Sequence, residues 1–163
     1  FNQIETGKIS EKDFLDVLKN KTKKATINEV KNAWNSMLLD LPEKRISILK
    51  NLKEKYALFL LSNTNKIHIS EFKRKISIPR YKEFYNLFDK VYYSHKIGHR
   101  KPNETAFKII LDENNLAPEE VFFIDDSPQH IDGAKKIGIK TYHISKKADI
   151  TTLFPDIILS EHH

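Results

Sequence analysis

Asp125 and Asp126 stand side by side directly after the apolar run Val121-Phe122-Phe123-Ile124. Adjacent carboxylates at the end of a buried strand repel each other, and a cation relieves that cost. Hard oxygen donors suit magnesium, which takes one or two protein carboxylates and keeps several waters. The plainer alternative is a solvated strand end before a helix capped by Ser127. Ser62-Asn63 closes an earlier run, Ala57 to Leu61. A hydroxyl, a side-chain amide and free backbone N–H groups at a strand-to-helix turn can hold an anion such as phosphate. Ser and Asn are also ordinary turn formers. Lys101 directly precedes Pro102, which restricts the lysine backbone to extended conformations. A cation fixed in this way can neutralise a transferring anionic group, or it is one surface lysine among many.

Other chemistries are excluded. The chain has no cysteine, which removes a disulfide framework, a thiolate zinc site and a cysteine nucleophile, and fits a reducing cytoplasm. The G-x-S-x-G elbow and the Walker pattern are both absent. His95 and His99 have the spacing of a zinc helix, but Gly98 and Pro102 argue against a helix there. His68, His130 and His143 read as surface or core histidines. The net charge of +6 comes from scattered lysines, such as Lys21, Lys23 and Lys24 or Lys73, Arg74 and Lys75, with acidic residues between them. Such a pattern reads as a solvated surface and not as a nucleic-acid footprint. No apolar run approaches the ~20 residues that span a bilayer.

The elements that must position these residues alternate in type. Ser10 with Asp13, and Thr26 with Glu29, resemble capping boxes ahead of helices that carry Phe14, Leu15 and Leu18, then Val30, Ala33, Trp34, Met37 and Leu38. Pro42 opens a third helix with Ile46, Leu49 and Leu52. From Tyr56 onward the pattern predicts a buried strand over 57–61 and a helical stretch through Phe72, Ile76, Phe84 and Phe88. A strand over 91–94, a helix from Lys101-Pro102-Asn103, a buried strand over 121–124, a helix from Ser127-Pro128 and a last strand over 139–144 follow. Strands alternating with helices indicate an α/β domain with a mainly parallel, Rossmann-like sheet. Ligands bind such sheets beyond the carboxyl ends of the strands, where every polar cluster above falls. The expected division is a helical segment over 1–39, an α/β core over 40–160, and a tail over 161–163 whose histidines resemble a tag remnant.

A strand ending in Ser62-Asn63, then Lys101-Pro102 opening a helix, then a strand ending in Asp125-Asp126 resembles, in that order, the second, third and fourth motifs of the haloacid-dehalogenase-like hydrolases. The flanking residues agree: Leu60-Leu61-Ser62-Asn63-Thr64-Asn65, Gly98-His99-Arg100-Lys101-Pro102, and Phe123-Ile124-Asp125-Asp126-Ser127 leading to Gly133-Ala134 and Gly138-Ile139. Upstream, Glu5-Thr6-Gly7-Lys8-Ile9-Ser10 and Ala33-Trp34-Asn35 resemble the helical cap of the branch that holds sugar-phosphate phosphatases and the phosphatase domain of epoxide hydrolases. The resemblance implies a Mg2+-dependent phosphomonoester hydrolase acting on a small phosphorylated metabolite through an aspartyl-phosphate. It implies that Ser62 and Asn63 hold the phosphoryl oxygens and that Lys101 stabilises the phosphorylated aspartate. Asp126 would be the direct metal ligand, with Asp125 orienting Lys101 or a metal-bound water. His130 departs from the asparagine frequent in relatives.

The family's first motif, a strand ending in Asp-x-Asp whose first aspartate attacks phosphorus, has no counterpart here. Asp13 and Asp16 lie in a lysine-rich amphipathic pattern with no apolar strand before them. The expectation is a sheet without its central strand, between the strands ending at Leu61 and Ile124, an incomplete cap, and an upstream segment in the natural protein ahead of Phe1. Without its nucleophile the chain is expected to be inactive. The alternative is a non-catalytic binding or regulatory module that keeps the scaffold. A receiver-type signalling domain is disfavoured, because its acidic pair precedes its lysine in the chain.

Overall fold

The structure is a computed structural model and describes residues 1–22, 24–36, 40–145 and 148–153. Met37 and Leu38, expected to extend a helical stripe, and the tail over 161–163 lie outside the described residues. The first part folds as expected into helices: α1 (Asn2–Glu5), α2 (Glu11–Lys21) and α3 (Ile27–Asn35). Both caps read from the sequence are present, and the one at Thr26 is a full capping box whereas at Ser10 the Asp13 carboxylate accepts from the Ser10 hydroxyl. Ser10 Oγ accepts from the Asp13 N–H at 3.1 Å. Thr26 Oγ1 accepts from the Glu29 N–H at 3.2 Å while Glu29 Oε2 accepts from the Thr26 N–H at 2.7 Å. Each such cap satisfies otherwise orphaned helix donors and contributes about 1 kcal/mol. The apolar stripes of these helices meet in one cluster of Ile4, Phe14, Leu15 and Val30.

That cluster is closed from below by Ile67, 1% exposed, which belongs to α5 (Lys66–Ile76) of the following α/β part. Trp34 seals the seam. Its ring stacks on Phe1 at 4.9 Å and on His68 of α5 at 5.0 Å, and His68 Nε2 lies 3.2 Å from the Trp34 carbonyl oxygen.

The α/β part begins with α4 (Glu43–Lys53), whose Ile46, Ile48 and Leu52 are buried. Strand β1 (Phe59–Ser62) pairs in parallel with β2 (Lys90–Tyr93), and β3 (Phe122–Asp125) pairs in parallel with β4 (Lys140–His143). Helix α8 (Glu104–Asn114) joins the halves through its buried residues. Ala106, Phe107, Ile110 and Leu111 pack in one cluster with Leu61 and Tyr92 of the first pair and Ala134 and Ile139 beside the second. The described strands thus form two two-stranded sheets, with the expected gap between the strand ends at Leu61 and Ile124.

Two expectations are corrected. The runs 57–61 and 121–124 read as fully buried strands, yet in β1 only Leu61 is buried, and Phe122 of β3 is 55% exposed. A strand paired on one side only leaves the other edge and part of both faces open, so a continuous apolar run here does not mean burial. The single helical stretch from Phe72 to Phe88 is broken into α5 and α6 (Ile78–Asn86). Ser77 turns the chain at φ +76, and its Oγ accepts from the Arg80 N–H at 3.4 Å while Pro79 fills the first turn. His95 lies in the one-turn α7 (Ser94–Ile97), which Gly98 ends in a left-handed conformation, so His99 is outside any helix.

Candidate active site

The carboxyl ends of β1 and β3 carry the site. Ser62 is the last residue of β1, and the turn after it is anchored to the end of β2. Fully buried Ser94 accepts from the Thr64 N–H at 2.9 Å and donates to the Thr64 carbonyl at 3.1 Å. Asn65, also fully buried, caps α5 by accepting from the His68 N–H at 3.0 Å. Just ahead of these two anchors Asn63 turns its side chain to the loop that carries Lys101. Its Oδ1 accepts from the Lys101 N–H and its Nδ2 donates to the Lys101 carbonyl, both at 2.9 Å. A side-chain amide that meets both backbone groups of one residue fixes where that residue's side chain starts.

Lys101 is 7% exposed, and its Nζ lies 2.6 Å from Asp125 Oδ2 at the end of β3. The ammonium also lies 5.4 Å from the centre of the Phe123 ring. A buried lysine and a buried carboxylate neutralise each other where neither could stand alone. The other Asp125 oxygen accepts from the Ser127 N–H at 2.8 Å and contacts His130 Nδ1 at 2.9 Å. Ser127 occupies the cap position of α9 (Pro128–Lys135), but its side chain makes no capping bond. Asp125 instead holds the cap residue by its own N–H, and the His130 N–H of the first turn goes to the Ser127 carbonyl at 3.1 Å.

Burial pushes the Asp125 carboxyl up. The Lys101 charge and hydrogen bond, with those from Ser127 and His130, outweigh it and hold the group below the usual carboxylate range. The fold therefore binds ionised Asp125, while the unfolded chain takes up a proton near pH 4. The stability that Asp125 contributes is complete above that range and is lost as pH falls through the folded value. Denaturant midpoints measured from pH 6 downward are expected to fall, with a shallower fall in Asp125→Asn.

Asp126 follows with a different environment. Its carbonyl accepts from His143 Nε2 at 3.1 Å, while its exposed carboxylate takes no hydrogen bond or ion pair among the described residues. The Ser62 hydroxyl is likewise free among the described residues. The structure thus brings Asn63, Lys101 and Asp125 into direct contact and sets Ser62 and Asp126 beside them on the chain. Asp13 and Asp16 are far from this chemistry in role. Both lie on α2, Asp13 bonded to Ser10 and Asp16 paired with Lys12 at 3.5 Å.

Two further residues were not legible as site residues. Arg100, next to Lys101, pairs with Glu5 of α1 at 2.8 Å and also bonds Asn2, which ties the helical layer to the lysine loop. His130 joins Asp125 to Asn63, its Nε2 lying 3.5 Å from Asn63 Nδ2. Among the described residues, three buried polar atoms near the seam have no hydrogen-bond partner: Trp34 Nε1 and Asn35 Oδ1 at the end of α3, and Asn65 Nδ2 at the start of α5.

A family model described as haloacid dehalogenase-like hydrolase matches residues 3–144, a span that includes every site residue above. The chain belongs to that family. This haloacid dehalogenase-like hydrolase is 28% identical over 150 residues to D-ribitol-5-phosphate phosphatase of Bacteroides thetaiotaomicron, which covers 91% of this chain and 73% of that one. It matches a crystal structure of a HAD family enzyme from Bacteroides thetaiotaomicron, in complex with magnesium and inorganic phosphate, at 34% identity. The TM-score is 0.82 over 94% of this chain and 80% of that one. A HAD-like family hydrolase from Porphyromonas gingivalis matches at 30% identity with a TM-score of 0.80, over 99% of this chain and 78% of that one. The α/β fold expected from the motif order is therefore the family's fold.

Proposed function

We propose that these residues form the receiving side of a magnesium-dependent phosphomonoester hydrolase. It acts on a small phosphorylated metabolite, a sugar or polyol phosphate, through an aspartyl-phosphate whose aspartate is not in this chain. The observation that carries this reading is the buried Lys101–Asp125 pair, held by Asn63 at the carboxyl edge of two parallel half-sheets. The similarity to a D-ribitol-5-phosphate phosphatase supports the substrate class. In this reading residues 1–39 act as the cap, residues 40–160 as the catalytic core, and the protein works in the cytoplasm. No helix among the described residues is long and apolar enough to cross a membrane.

The donor set fits magnesium. Among the described residues no group of three or more His, Cys, Asp or Glu side chains could hold a metal ion alone. Magnesium asks for less, one or two carboxylates with water and phosphate oxygens completing the shell. The unengaged Asp126 carboxylate would be the direct ligand. Asp125 has three donors on its two oxygens already and is better placed to orient Lys101, or a water of the shell, than to bind directly. Bound magnesium would supply charge neutralisation at the phosphoryl oxygens.

The rest is done by the chain itself. Ser62 Oγ and the backbone N–H groups of the turn after β1, other than that of Thr64, donate to phosphoryl oxygens. Lys101 spends one of its three N–H donors on Asp125 and keeps two for the phosphoryl group as charge builds there.

The test is phosphate release by the whole gene product from a panel of sugar and polyol phosphates. Turnover is expected with magnesium, loss of turnover with chelator, and a loss of about 10²-fold or more in kcat for Asp126→Ala. Turnover that survives chelation or that substitution rules out this reading. Phosphate binding without turnover would favour a binding module.

A further inference from the structure

His130 closes a ring. Starting from Asn63, the Nδ2 donates to the Lys101 carbonyl, and Lys101 Nζ donates to Asp125 Oδ2. Asp125 Oδ1 meets His130 Nδ1, and His130 Nε2 faces Asn63 Nδ2 again. The ring joins Asn63 in the turn after β1, Lys101 ahead of α8, Asp125 at the end of β3 and His130 in α9, and its His130 side chain is 19% exposed.

The donors and acceptors of this ring can be assigned in one way. The Lys101 N–H must meet an oxygen and the Lys101 carbonyl must meet an N–H, so the Asn63 amide cannot be flipped. Its Nδ2 then has one proton for the Lys101 carbonyl and a second that points at His130 Nε2, which must be an acceptor. Asp125 already accepts on both oxygens, from Lys101 Nζ on Oδ2 and from the Ser127 N–H on Oδ1, so His130 Nδ1 must carry the proton. The neutral Nδ1–H tautomer satisfies both contacts. The Nε2–H tautomer would set two donors face to face at Asn63 and a lone pair against a carboxylate at Asp125. The 3.5 Å contact to Asn63 is the longest link, at the outer limit for a hydrogen bond, and the 2.9 Å contact to Asp125 is the strong one.

We propose that His130 is a positioning residue, held as the neutral Nδ1–H tautomer. It ties Asn63 to Asp125 and so fixes the Lys101 ammonium in one place. Lys101 is held at both ends, its backbone by Asn63 and its Nζ by Asp125. His130 is the brace that keeps those two holders in register across the gap between β1 and β3. The consequence for turnover rests on the phosphatase reading, whereas the brace rests on geometry alone.

The experiment is long-range ¹H–¹⁵N NMR of the imidazole and lysine nitrogens on the chain itself at neutral pH. His130 is expected to show a protonated Nδ1 and an unprotonated Nε2, and Lys101 a slowly exchanging ammonium signal apart from those of surface lysines. In His130→Ala that ammonium signal is expected to merge toward the surface lysines, and in His130→Asn, which restores a donor to Asp125, to return. A protonated Nε2 in the unmodified chain overturns the proposal, as does an unmoved Lys101 signal in a folded His130→Ala. If His130→Ala does not fold, the tautomer of the unmodified chain still decides. In the whole gene product the same substitution is expected to lower kcat about tenfold with KM unchanged, recovered by His130→Asn. Unchanged kcat overturns the brace. If the parent protein releases no phosphate at all, the phosphatase reading fails and the NMR result stands for or against the brace by itself.

Discussion

Lys101→Met is expected to lower the unfolding free energy by about 3–5 kcal/mol, the range for removing one partner of a buried ion pair. Methionine keeps much of the stem's volume, so the loss isolates the charge. The Lys101 and Asp125 side chains are 9% and 7% exposed, and Asp125 would be left buried with only the Ser127 and His130 donors. Two companions sharpen the measurement. Lowering the pH protonates Asp125, so the gap between parent and variant should narrow as the solution is acidified. The double variant Lys101→Met with Asp125→Leu should recover much of the loss, because an apolar pair of similar volume often replaces a buried ion pair without cost. A loss under about 1 kcal/mol would mean that water reaches the pair, as at an exposed salt bridge. In the whole gene product the same substitution should cost about 10²–10³-fold in kcat, the scale for removing one donor to developing charge.

Gly133→Ala should also destabilise, although alanine is the better helix former by about 1 kcal/mol. Gly133 lies inside α9 with its backbone against Pro102. A Cβ placed there would come within 3.0 Å of Pro102 Cβ, and nearer still to the Pro102 carbonyl oxygen. Backbone cannot swing aside as the tip of a side chain can. Either α9 moves away or the Lys101–Pro102 segment does, at a cost of about 1–3 kcal/mol for overpacking. Thermal unfolding should register about 2–4 °C for each kcal/mol in a chain of this size. Because His130 is on the same helix and Lys101 precedes the proline, the displacement should also lengthen the Lys101–Asp125 contact. A rise in Tm would show that the loop yields freely and that the close approach has no structural weight.

The sequence makes some of this architecture plain and leaves some of it hidden, for reasons that differ by residue. Capping at Ser10 and Thr26 is local, because donor and acceptor are three residues apart, so the spacing alone identifies it. The strands announce themselves as short apolar runs, and the polar residues that end them fall where a parallel sheet presents its ligands. Burial is not local. Phe122 sits in a strongly apolar run and is exposed because Phe123 takes the face that packs on Phe107, and strand alternation turns Phe122 to the other face. The break at Ser77 escapes a reading by periodicity, since Phe72 and Phe84 keep their spacing across it. Lys101, Asp125, Ser62, Asn63 and Asp126 are expected at the site from motif order. The Glu5–Arg100 pair and the His130 contacts join positions far apart in the chain and leave no periodic trace.

The two half-sheets also bear on how molecules of this chain meet each other. β1 and β3 each present a row of backbone N–H and C=O groups that no other described strand covers, and beside one of them Phe122 faces solvent. Such an edge pairs with whatever extended chain it encounters. In concentrated solution, self-association of this 163-residue chain would then begin at those edges, with no involvement of Lys101 or Asp125. A lysine at position 122, and not a change at Lys101 or Asp125, is what should keep the molecules apart.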